Sequence, residues 1–65
     1  MKGQVKTYNT EKRYGFITTE DNKDIFFHFS HIIMEGYKVI EPGVLVEFEI
    51  VETEHGKQAH NIMRI

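Results

Sequence analysis

Two stretches decide how this chain reads: Lys12-Arg13-Tyr14-Gly15-Phe16-Ile17, and a little further on Asp24-Ile25-Phe26-Phe27-His28-Phe29-Ser30. Side chains alternate faces along a β-strand, so Tyr14 and Phe16 share one face and Ile17 takes the other. Gly15 stands between the two rings and leaves the backbone open to close approach. A basic pair precedes the rings. Taken alone, the stretch supports two readings. It is either an exposed aromatic face beside cations, suited to stacked bases and a phosphate backbone, or a buried aromatic strand after a charged turn. The second stretch bears on the choice. By the same alternation Asp24, Phe26 and His28 share one face, and Ile25 and Phe27 the other. If the two strands pair, Tyr14, Phe16, Phe26 and His28 form one surface of four flat side chains. Burying that surface would take Asp24 and His28 inside with it, which is costly without partners. A solvent-facing platform fits better.

These two stretches resemble the ribonucleoprotein motifs of the bacterial cold-shock proteins, a family built on a single cold-shock domain. The family's first motif is roughly Lys-Gly-Phe/Tyr-Gly-Phe-Ile and its second roughly Val-Phe-Val-His-Phe. Here they stand at residues 12–17 and 25–29. Further marks of the resemblance run along nearly the whole chain: Gly3-Gln4-Val5-Lys6, Asn9, residues 30–32, Glu35-Gly36-Tyr37, Gly43, Val46-Glu47-Phe48 and residues 56–61. The resemblance implies a five-stranded barrel of the oligonucleotide-binding fold, with its ligand on strands two and three. It also implies an RNA chaperone that keeps transcripts unpaired in cold adaptation.

Composition sets the bounds. Sixty-five residues make one domain, residues 1–65, with a modest core and marginal stability. With no cysteine there is neither disulfide nor thiolate metal site, in keeping with a reducing compartment. No apolar run has membrane-spanning length, and Met1-Lys2-Gly3-Gln4-Val5 lacks the apolar segment of a signal peptide, so a cytoplasmic protein without a membrane partner is expected. The net charge of −2 argues mildly against a nucleic-acid ligand, but its distribution is uneven. Residues 1–19 carry four basic side chains against one acidic, and the remainder carries four against nine. The basic excess coincides with the aromatic motif. A local patch can act on an acidic protein because salt screens distant charges over about 10 Å.

In chain order, residues 1–9 read as a first strand with Val5 inward and Lys6 and Tyr8 outward. Thr7 stands where the family carries a base-stacking tryptophan. Simple alternation would put Thr7 with Val5, so the resemblance implies a bend or bulge here. Residues 9–13 form a turn, with Arg13 where the family has glycine. Residues 14–19 and 24–29 are strands two and three, joined by a turn over residues 20–23. Ser30 is expected to cap a single helical turn. Glu41-Pro42-Gly43-Val44 fits a type II turn. Residues 44–51 are a fourth strand with Val44, Val46, Phe48 and Ile50 inward. Residues 57–65 are a fifth, whose inward set is ambiguous between Ala59 with Met63 and His60 with Ile62. Five short strands without a long helix predict an all-β fold, a small closed antiparallel barrel.

The expected nucleic-acid contacts are therefore Tyr14, Phe16, Phe26 and His28 on the platform, with Tyr8 beside it. The resemblance alone brings Phe29 outward, and Tyr37 is a loop ring that either covers the groove or packs on the barrel rim. Lys6, Lys12, Arg13 and Lys38 are the candidate phosphate contacts. Asp24 is either an acceptor for a base edge or a turn-end carboxylate. No metal or other cofactor is expected: His28 and His31 have the spacing of a helical ligand pair, but His28 ends a strand and no cysteine supports them. Ser30 beside His31 lacks an orienting third group, so no enzyme is expected. The reading is a monomeric binder of single-stranded RNA and DNA, pyrimidine-rich and of low sequence specificity. A protein-interaction module, or a component of a larger ribonucleoprotein assembly, is the alternative.

Overall fold

The computed structural model describes residues 1–33 and 40–65. Five strands, β1 (Lys2–Asn9), β2 (Tyr14–Thr19), β3 (Asp24–His28), β4 (Leu45–Thr53) and β5 (Gly56–Arg64), close into a barrel in the order β1-β2-β3-β5-β4. The expected all-β barrel is present, with one correction to its direction. The β1–β2, β2–β3, β1–β4 and β4–β5 pairs are antiparallel, but β3 meets β5 in parallel, through Phe26 opposite Gln58. A second parallel bridge, Ile32 to Ile62, continues that seam. A chain that crosses from β3 to β4 before returning as β5 brings β5 beside β3 in the same direction.

Strand alternation fills the interior. Val5, Ile17, Ile25, Phe27, Val46, Phe48, Ala59 and Ile62 are buried, joined by Ile32 and Ile40 from the crossover. Burial of a side chain as large as Phe27 contributes about 1.5–3 kcal/mol, so these few residues dominate the stability of so short a chain. Thr19 is the one buried polar residue among those described, and its hydroxyl is engaged in the β2–β3 turn with Asp21 and the Lys23 N–H.

Two bulges reset the alternation. In β1, Val5 stands opposite Ile17 and Thr7 opposite Phe16, so Lys6 is the extra residue. In β5 the register moves from Met63 opposite Glu47 to His60 opposite Glu49, and Asn61 takes a positive φ of 52°. Asparagine tolerates this backbone better than most residues. Its side-chain amide donates to the Glu49 carboxylate at 2.9 Å. The bulge turns Ala59 and Ile62, three positions apart, into the same core, which a strict two-residue period would not allow. Ile50 departs from expectation, being 37% exposed although opposite buried Ala59. The reason is that β1 pairs with β4 only at residues 45–47, leaving the far half of β4 with β5 alone.

The turns follow their residue types. Gly43 has φ of 97° and Val44 N–H closes back to Glu41 C=O at 3.2 Å. After β3, residues Phe29–His31 form one 3-10 turn. Its cap is His28 rather than Ser30: the His28 ring accepts the Ser30 N–H.

Candidate nucleic-acid interface

The register of β2 against β3 sets Tyr14 opposite His28 and Phe16 opposite Phe26. All four therefore lie on the outer face, while their neighbours Gly15, Ile17, Ile25 and Phe27 point inward and are buried. Phe16 is exposed; Tyr14 and Phe26, whose rings lean on each other, are half-buried, as is His28. The Tyr14 and Phe26 centroids are 5.5 Å apart at 36°, and Phe16 meets Phe26 edge-on at 5.9 Å. Such tilted contacts suit the ring quadrupole and hold the rings as one surface.

The bulge at Lys6 extends this surface onto β1. Thr7 is turned outward opposite Phe16, so one row runs Thr7, Phe16, Phe26, Gln58 across four strands. The same bulge overturns the expectation for Tyr8. Tyr8 stands opposite Gly15, on the inner side, and its ring stacks on Phe27 at 5.8 Å and 7°. It is a partly buried extension of the core rather than a neighbour of the outer rings.

One end of the platform is framed by the β1–β2 turn. The Asn9 side-chain oxygen accepts the N–H groups of Glu11 and Lys12, and Asn9 C=O accepts that of Arg13. Arg13 has φ of 61°, the left-handed region, which costs a non-glycine residue about 1–2 kcal/mol. Its guanidinium lies 5.6 Å from the centre of the Phe29 ring, a cation–π distance that offsets part of that cost. Backbone strain and an added cation therefore occur together at this position. Phe29 follows the last residue of β3 and is half-buried against the core. Lys12 is exposed on the turn.

Lys6 and Asp24 are brought together. The ammonium and the carboxylate form an ion pair at 2.8 Å, both about half exposed. An exposed pair of this kind contributes little stability, about 0–1 kcal/mol. It does neutralise both groups in the free protein, so Lys6 adds less to the positive field of the platform than its charge alone implies. Tyr37 and Lys38 lie outside the described residues.

Two residues that sequence reasoning missed join the surface from β5 and the turn before it. An open groove of about 390 Å³ is lined by Phe16, Phe26, His55 and Gln58. Gln58 arrives through the parallel β3–β5 seam and His55 from the two-residue β4–β5 turn. No local pattern marks either, because their placement depends on barrel closure. A slightly larger hollow, about 420 Å³, lies between Lys2, Gln4, Thr18, Leu45 and Ile65 and contains no aromatic ring, so it offers no stacking surface.

Of the remaining histidines, His31 closes the 3-10 turn and His60 lies on β5. His31 and His60 stack at 3.6 Å and 10°, and His60 Nε2 is buried without a hydrogen-bond partner. Among the described residues no three potential ligands converge on a metal position. Burial lowers the pKa of His31, with smaller contributions from the nearby His60 and His28. The folded state therefore resists a proton that the unfolded chain accepts near pH ~6.5. This contribution to stability is complete above that pH and is lost as the pH falls from there through the lower folded pKa. The melting temperature is expected to drop between pH 7.5 and 5.5, and to drop less in His31→Gln. Equal slopes for the two proteins would show that the His31 proton is not linked to folding.

A closed five-stranded barrel with outward aromatic rings on two adjacent strands defines the class as an oligonucleotide-binding-type fold. The sequence comparisons give the family. The profile described as 'Cold-shock' DNA-binding domain matches residues 1–65. The chain is 49% identical over 65 residues to the cold shock-like protein CspC of Bacillus cereus, covering all of both chains. It is 50% identical over 64 residues to cold shock protein CspA of Staphylococcus saprophyticus, covering 98% of this chain and 97% of that one. The chain belongs to the cold-shock domain family, whose members bind nucleic acids and act in the cold-shock response. Among solved structures, the one titled drosophila Unr CSD456 superposes with a TM-score of 0.77 at 22% identity. It covers 98% of this chain, which spans 26% of that longer one, and the likeness is one of fold. None of the helices among the described residues is long and apolar enough to cross a membrane.

Proposed function

We propose that the protein binds single-stranded RNA and DNA with low sequence specificity and acts as an RNA chaperone in the cytoplasm, as a monomer. The observation that carries this reading is the outer row Phe16–Phe26 with Tyr14 and His28 beside it, edged by Lys12 and Arg13. Bases stack on Tyr14, Phe16, Phe26 and His28. Lys12 and Arg13 track the backbone, joined by Lys6 once a phosphate replaces Asp24 as its partner. Phe29, Tyr37 and Lys38 are assigned to the same surface by family resemblance. Pyrimidine-rich strands are the proposed ligands.

The test is a titration of a labelled hexamer-length pyrimidine strand at several salt concentrations. The logarithm of affinity is expected to fall with a slope of about −0.7 per phosphate neutralised, with roughly two to four phosphates engaged. Removing Lys12 should make the slope shallower. Affinity that ignores salt would make the cations incidental. No binding at all would leave a protein-interaction surface as the function of the rings.

Thr7 provides a second test. It is exposed and stands opposite Phe16, where a ring would continue the platform onto β1. One stacking contact contributes about 1–3 kcal/mol. Thr7→Trp is therefore expected to tighten binding of the same hexamer about tenfold, or ~1.4 kcal/mol. The chain has no tryptophan of its own, so quenching of the new indole reports the contact directly. A folded variant showing neither tighter binding nor quenching would mean that the bound strand does not reach β1.

A further inference from the structure

The His28 ring sits on the platform opposite Tyr14, and its Nδ1 atom is turned away toward the 3-10 turn. There it receives the Ser30 backbone N–H at 3.2 Å and lies 2.9 Å from Ser30 Oγ. A backbone N–H can only donate. Nδ1 must therefore carry a lone pair rather than a hydrogen, and the Ser30 hydroxyl, at hydrogen-bonding distance from the same atom, donates as well. In the neutral imidazole the proton then resides on Nε2, on the other side of the ring. The local chain enforces this. Phe29 N–H is already used by Arg13 C=O at 2.8 Å, so β3 ends at His28 and the next turn aims the Ser30 N–H back at the ring.

We infer that Ser30 is a positioning residue: it fixes His28 as the Nε2–H tautomer, so that the platform presents one directed N–H donor to an oxygen acceptor of the bound strand. The inference rests on the nucleic-acid reading above and adds a directional contact to it. Stacking is indifferent to base identity because every base has a π face. A fixed donor is not. It matches a base carbonyl and is opposed by an exocyclic amino group, whose N–H atoms point back at it. A phosphate oxygen would satisfy the same donor equally in every sequence. The acceptor is thus an oxygen of one of these two kinds, and the choice between them decides whether His28 adds base preference or only register.

The experiment begins with imidazole ¹⁵N spectra of the free protein at pH 8. His28 is expected to show a protonated Nε2 and an unprotonated Nδ1. A predominant Nδ1–H form would overturn the inference. Binding of thymidine and cytidine hexamers is then measured for the wild type, Ser30→Ala, His28→Phe and the double variant. His28→Phe keeps a flat ring for stacking and removes both nitrogens. It is expected to weaken thymidine binding about two- to tenfold, the range for one net hydrogen bond. Ser30→Ala keeps the backbone N–H that sets the tautomer and removes only the hydroxyl's restraint on the ring. It is expected to weaken binding less than His28→Phe does, and to have no effect in the His28→Phe background. An equal loss in both backgrounds would assign Ser30 a purely structural role and overturn the proposal, as would an unchanged affinity in His28→Phe. A larger loss for thymidine than for cytidine identifies the acceptor as the thymine O4 carbonyl, which cytidine replaces with an amino group, and an equal loss identifies an oxygen common to both strands, the base O2 carbonyl or phosphate. Phe16→Ala, run alongside, separates this question from the platform itself. If that variant loses affinity while the histidine variants do not, the donor assignment fails and the stacking surface stands.

Discussion

Alanine at position 15 is expected to cost the protein about 3 kcal/mol or more, at the upper end of what overpacking does. The reason is distance. A Cβ on Gly15 would stand 2.1 Å from the Thr7 carbonyl oxygen and 3.0 Å from two atoms of the Phe27 ring. Neither neighbour can retreat. The Thr7 carbonyl belongs to the β1 backbone just after the bulge, held by the Tyr8–Gly15 and Val5–Ile17 pairs on either side. The Phe27 ring is fully buried and covered by Tyr8. A chain of this size has only about 3–10 kcal/mol of total stability, so the variant should be largely unfolded or close to it. Denaturant unfolding measures this directly. Combining the change with Phe27→Leu should not restore stability, since the shorter contact is with backbone. A midpoint within about 0.5 kcal/mol of wild type, the range of ordinary surface substitutions, would show that β1 and β2 can separate at this point.

Phe26→Ala and Phe16→Ala should each weaken oligonucleotide binding by about 1–3 kcal/mol, or roughly five- to 150-fold. The larger loss is expected for Phe26. It touches both Tyr14 and Phe16 and stands opposite Gln58, so its removal also frees the rings that lean on it. Phe16, already 37% exposed, supports little else. Stability should change far less than on Val46→Ala, where a fully buried side chain contributing about 1.5–3 kcal/mol is trimmed. Titration of the same hexamer, with melting curves as the control, separates the two effects. Wild-type affinity in both ring variants would remove the stacking surface from the function.

Arg13 shows how closely the cations and the fold are entangled. Its left-handed backbone belongs to the turn, while its guanidinium belongs to the platform's edge. Lys6 is similar, being both the bulge residue of β1 and the partner of Asp24. A substitution at either position therefore changes charge and local geometry together, which makes Lys12 the cleaner probe of phosphate contact.

The sequence by itself determined the parts governed by short-range rules. Alternation about Gly15 and Ile25 placed Tyr14, Phe16, Phe26 and His28 on one face, because the pleat of a strand is a property of the backbone alone. Turn chemistry at Asn22 and Gly43 marked the strand ends, since each residue tolerates the positive φ observed there. The bulge at Lys6 was legible through the family resemblance, which set Thr7 outward against simple alternation. What only the tertiary structure decided depends on contacts between distant segments. Tyr8 turned inward because the same bulge carries its ring over Gly15 onto Phe27, an effect one residue beyond the position the resemblance addressed. Gln58 and His55 reached the groove through the parallel β3–β5 seam, which no local pattern encodes. The inward pairing of Ala59 with Ile62 needed the Asn61 bulge, and that bulge exists because β5 must follow both β4 and the core at once. The Lys6–Asp24 pair arises in the same way: it joins side chains of β1 and β3, and the partners are set by how those strands are placed in the barrel.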